Sequence, residues 1–141
     1  MRFFVRRSLA IVAVAAAAAA CGSTTAPQSV DETLSADWRS ALPCTNNPGG
    51  CFSLTFTLSA QGNAIAGSGT TSWIGTDSVA VSGTVDGRRV HLTIVTTTGE
   101  FAGQTSEFDG TLTIVNTLSG AYRPDVNSAE TFTLRLIANA K

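Results

Sequence analysis

The chain has 141 residues, with nine basic and ten acidic side chains, one histidine and a formal charge of −1. That length suits a single domain beside any targeting segment. Basic residues cluster only at Arg88-Arg89 outside the first few residues, which argues against nucleic-acid binding and against charge-driven binding to an anionic membrane face, since both need a basic surface.

Arg2, Arg6 and Arg7 give the chain a basic start, and Leu9 to Ala20 form a short apolar stretch. A membrane-crossing helix needs about 18 or more apolar residues, so residues 1–20 read as a signal peptide. The segment ends in Ala18-Ala19-Ala20-Cys21, which resembles the lipobox of bacterial lipoproteins, with Ala18 where that family favours Leu. The resemblance implies cleavage before Cys21, diacylglycerol on its thiol and often a further acyl chain on its amino group. Gly22 rather than Asp then resembles lipoproteins that leave the inner membrane. The expected location is therefore exported and membrane-anchored, on the outer membrane if the host has two. Each buried methylene contributes about 0.8 kcal/mol, so two or three chains hold stably where one does not. Cleavage leaves six of the nine basic residues against ten acidic ones, a formal charge of −4. Residues 21–31, opening with Gly22-Ser23-Thr24-Thr25, are polar and aperiodic and read as a flexible tether.

Residues 32–141 read as one β domain, because the apolar period is two. A first strand carries Trp38, and the next alternates Phe52, Leu54, Phe56 and Leu58 with Ser and Thr. A third is expected around Ala64–Thr70, after the turn Gln61-Gly62-Asn63. Val79, Val81 and Val85 mark the fourth strand, and Val90, Leu92 and Ile94 the fifth. Asp86-Gly87 between them is the strongest hairpin signal in the chain. Phe108, Leu112 and Ile114 mark a sixth strand running to Val115, with the turn at Asn116-Thr117. Strands around Leu118–Arg123 and Phe132–Leu136 complete a set of eight, with longer loops at Thr71–Asp77, Thr97–Ser106 and Pro124–Glu130. Parallel pairing would need crossovers that are absent. The expected fold is all-β: an eight-stranded antiparallel up-and-down meander, closed into a small β-barrel, with a β-sandwich as the alternative. Gly67, Gly69, Gly83, Gly110 and Gly120 fall within strands and permit sharp coiling. A membrane-spanning barrel is excluded by the Ser, Thr, Asp and Arg on the outward face. The meander looks like small soluble barrels of the lipocalin and avidin kind, an architectural resemblance that carries over no residues.

Cys44 and Cys51 flank Asn46-Asn47-Pro48-Gly49-Gly50 at the first hairpin tip. In an exported protein they are expected to form a disulfide, contributing about 2–3 kcal/mol for so short a loop. Zinc is disfavoured by the single histidine, and no metal or cofactor is expected. His91 lies on the polar face of its strand. No nucleophile elbow or phosphate loop is present, so the protein is not expected to be an enzyme. Trp38, Trp73, Phe101 and Tyr122 are the candidate contact residues, because Trp73 and Phe101 sit in loops held by a rigid scaffold. Two functions compete. One is a lipid-anchored envelope module binding a small apolar ligand or lipid; the other is a structural lipoprotein with a filled barrel that contacts an envelope protein. An apolar cavity of a few hundred Å³ favours the first.

Overall fold

The computed structural model describes residues 29–40, 52–72 and 75–139. The signal segment, Cys21, the Cys44/Cys51 pair and Trp73 lie outside the described residues. Eight strands follow one another as antiparallel hairpins and close into a barrel: β1 (Asp37–Ser40), β2 (Ser53–Gln61), β3 (Ala64–Ser72), β4 (Thr76–Asp86), β5 (Arg89–Thr96), β6 (Thr105–Leu112), β7 (Thr117–Arg123) and β8 (Phe132–Ala138). Closure is made by β1 against β8, with Trp38 opposite Ala138 and Ser40 opposite Leu136. Each strand thereby has a hydrogen-bonded neighbour on both sides, which is what the meander needs to limit open edges.

The period-two pattern decides what points inward. Along β2, Leu54, Phe56, Leu58 and Ala60 are buried while Ser53, Thr55, Thr57 and Ser59 are exposed. The same alternation places Val79, Val81, Leu92, Ile94, Phe108, Leu118, Leu134 and Leu136 in one continuous core. The barrel interior is filled by these side chains, as an eight-stranded barrel allows.

The two ends of the barrel differ. At one end the β2–β3, β4–β5 and β6–β7 connections are tight, and backbone hydrogen bonds link them around the rim. Val85 N donates to Asn63 O at 3.0 Å, Leu112 N to Arg88 O at 2.8 Å, and Ala138 N to Asn116 O at 3.2 Å. A helix absent from the sequence reading, α1 (Val30–Leu34), closes this end. Ser29 caps it, with the Ser29 hydroxyl accepting from Glu32 N and the Glu32 carboxylate accepting from Ser29 N, a capping box that satisfies two otherwise orphan donors. Asp31 accepts from Gly62 N at 3.0 Å, and Ser35 Oγ accepts from Ala60 N at 3.0 Å, which ties the helix to the end of β2. Leu34 and Trp38 are fully buried beneath it. Ser29 to Asp31, expected in the tether, thus belong to the folded unit.

The sixth strand also departs from the expectation. β6 stops at Leu112, and Ile114 is 83% exposed rather than inward. Thr113 N donates to Thr117 O at 2.8 Å, which encloses the three residues Ile114, Val115 and Asn116. Asn116 takes φ 55, the left-handed conformation that ends a three-residue hairpin loop and that Asn tolerates best after Gly. The apolar alternation continues one step past the last ladder pair, Leu112 with Leu118, and the turn chemistry overrides it. The loop expected at Thr71–Asp77 is shorter than read, because β3 runs to Ser72 and β4 begins at Thr76.

A candidate ligand site at the barrel mouth

The opposite end carries the longer of the described connections. A cavity of about 450 Å³ lies there, walled by Phe52, Phe101, Tyr122 and Pro124. Thr71, Thr96, Gln104 and Ser106 supply polar groups, and Asp77 and Glu100 supply carboxylates. No basic side chain belongs to its described lining.

The apolar wall is an aromatic cluster. The rings of Tyr122 and Phe132 are 5.1 Å apart, Phe52 lies 5.4 Å from Tyr122, and Phe52 and Phe132 meet edge-on at 5.9 Å. Register explains the meeting: Tyr122 faces Phe132 across β7 and β8. Such tilted and edge-on pairs suit the ring quadrupoles.

The polar side is a short network. Ser106 Oγ donates to Pro124 O at 2.8 Å, and Gln104 Nε2 donates to the same carbonyl at 3.2 Å. These bonds pin the β7–β8 loop against the start of β6. Gly99 and Gly103 take φ 78 and 90, which lets the β5–β6 loop fold over and carry Phe101 to the mouth, 44% exposed.

Tyr122 is the chain's single tyrosine and is buried, with Ser106 within reach of its hydroxyl. Burial pushes its pKa above the ordinary 10.0, the Ser106 side chain pulling more weakly the other way. The unfolded chain therefore ionises this phenol first as pH rises. The stability that the buried neutral phenol contributes is fully present below pH 10 and is lost as pH climbs through the folded value. Spectrophotometric titration of the phenolate is expected to run above that of the denatured chain. A native curve superimposed on the denatured one would show that the phenol is solvated.

Among the sequence-predicted contact residues, the structure brings Phe101 and Tyr122 together at the mouth and leaves Trp38 out. Trp38 is fully buried, and its Nε1 donates to Leu34 O at 3.0 Å, so it plugs the helix-closed end. Its place in a short first strand beside β8 drives it into the core rather than to a surface. Sequence reasoning missed Gln104, Ser106 and Asp77 as site residues. The short polar run Gln104-Thr105-Ser106 leading into β6 is a signal that could have found two of them.

A second arrangement was also unforeseen. His91 Nδ1 lies 2.7 Å from Asp109 Oδ1 on the outer wall, because β5 and β6 place the two residues directly opposite. Both are substantially exposed in an open groove that includes Arg89 and Ser119. An exposed pair of this kind is worth little to stability. Among the described residues, no group of three or more His, Cys, Asp or Glu is placed to hold a metal ion.

No protein-family model matches this chain, nor does any curated protein or solved structure. The site stands on its own geometry.

Proposed function

We propose that this protein is a lipid-anchored binding module of the cell envelope that takes a small apolar ligand, neutral or cationic, in its barrel mouth. The cavity of about 450 Å³ carries the reading, because its volume falls in the range of small-molecule sites and its wall is aromatic with a few convergent polar groups. Asp77 and Glu100, with no basic residue in the described lining, disfavour an anion. The filled core below means that the ligand sits in the mouth and not along the barrel axis. The location rests on the signal-like segment ending at Cys21, and the same export supports pairing of Cys44 with Cys51 in an oxidising compartment.

Native mass spectrometry of the protein purified from its own host tests the ligand. A co-purifying small molecule is expected. Phe101→Ala removes a contact worth about 1.5–3 kcal/mol, which lowers affinity by about tenfold or more with little change in thermal stability. Absence of any ligand, with Phe101→Ala lowering stability instead, would make Phe101 a cap and favour the second reading. That reading is a filled barrel that contacts an envelope protein through its loops, and the solid interior is the observation in its favour. Location is tested separately: Cys21→Ser is expected to move the protein from the membrane fraction to the soluble exported fraction. Unchanged partitioning would refute the anchor.

A further inference from the structure

Three large hydrophobic residues are exposed among those described: Phe101, Ile114 and Val115. Phe101 belongs to the mouth. Ile114 and Val115, 83% and 67% exposed, form the apex of the β6–β7 loop and touch no site described above. The loop's conformation does not require them, since the residue with positive φ is Asn116. A polar pair would serve that turn as well.

Their position is the informative part. The loop lies at the helix-closed end, opposite the mouth. Asn116 O accepts from Ala138 N, and the next residue, Asn139, donates its N–H to Asp37 O, just after the helix. The chain reaches the described domain at this same end, through Ser29 and a helix held to the β2–β3 turn by Asp31. Cys21 to Gln28 is eight residues, a reach of at most about 26–29 Å. A lipid on Cys21 would therefore keep the closed end, and with it this loop, near the lipid surface.

One cation stands at the base of the loop. Arg88 Nη1 donates to Leu112 O at 3.1 Å, which fixes a cation next to the base of the loop. The same end also carries acids, since Asp31 accepts from Gly62 N, Glu32 caps the helix, Asp37 accepts from Thr57 Oγ1 and Asp86 lies opposite Arg89 in the β4–β5 register. The tip would therefore enter lipid on its apolar residues and not on net charge. An apolar tip beside a cation is the arrangement that settles at a headgroup boundary, with the apolar part in the acyl region and the charge at the phosphates.

We propose that the Ile114–Val115 tip is a membrane contact that inserts into the lipid surface holding Cys21 and so points the barrel mouth away from it. This rests on the lipid-anchor reading given above. The test uses the full lipidated chain on vesicles of phosphatidylcholine and phosphatidylglycerol whose acyl chains are brominated. Ile114→Trp and Phe101→Trp report the two ends, with the wild-type tryptophan signal subtracted. Quenching of the tryptophan at 114 by at least about twofold, as burial at the acyl boundary would give, is expected, with none at 101. An unquenched signal at 114 on protein that sediments with the vesicles overturns the tip contact and leaves the anchor standing. Stronger quenching at 101 overturns the orientation. A lipidated chain that stays in the supernatant overturns both readings.

Discussion

Phe108→Ala is expected to destabilise the domain by about 3–5 kcal/mol, the range for emptying a large aromatic core site. Phe108 is fully buried. Its strand neighbours are Leu92 on β5 and Tyr122 on β7, and its ring lies over the α-carbon of Gly110. Backbone on two sides of the ring belongs to a closed ladder that cannot collapse into the space left behind. Ile114→Ala, six residues further along the same chain segment, should change stability by less than about 0.5 kcal/mol, as for other exposed positions. Thermal or urea denaturation of the two variants decides the matter. Equal losses would mean that Ile114 is inward and that β6 extends beyond Leu112.

That contrast shows what the sequence carries and where it stops. The inward sets of β2, β4 and β5 are legible because a strand with one buried face must alternate, and Asp86-Gly87 fixes the register between β4 and β5. The error at Ile114 comes from letting alternation outrun hydrogen bonding. Thr113 and Ile114 keep the period, but Asn116 already takes the turn conformation, and the ladder ends with Leu112 opposite Leu118. The helix over Val30–Leu34 was hidden for a different reason. Five residues are too few to show a period of 3.6, and its only sequence mark is Ser29 followed by Glu32 at capping-box spacing.

The mouth was half legible. Phe101 is legible as an apolar residue in a loop and Tyr122 only as one of four candidate contacts. That both would wall one cavity with Phe52 depends on how far each loop rises above its strands, and the side-chain period says nothing about loop height. The His91–Asp109 pair depends on the offset across the 97–104 connection. That offset is set by Thr96 N donating to Gln104 O and Gly103 N to Thr96 O, bonds that alternation within either strand does not specify.

Gly120→Ala is expected to cost about 1–3 kcal/mol or more, the range for forcing extra volume into a packed site, although it adds a single methyl. Gly120 faces Gly110 across the β6–β7 ladder and Leu134 across β7–β8. A methyl there would run into the Asp109 carbonyl oxygen and the α-carbon of Gly110. Both are backbone atoms, so no side-chain rotation relieves the contact; the two strands themselves would have to part. Gly87→Ala makes the useful comparison. Its φ of 58 strains an L-residue, by roughly 1–2 kcal/mol, yet open space surrounds it and no strand moves. The two variants are therefore expected to differ in kind as well as size. Hydrogen exchange in Gly120→Ala should accelerate along β6 and β7, while in Gly87→Ala the change should stay within the β4–β5 turn. If Gly120→Ala leaves stability and β6–β7 exchange unaltered, the close approach of those two strands is wrong, and with it the tight coiling that closes eight short strands around this core.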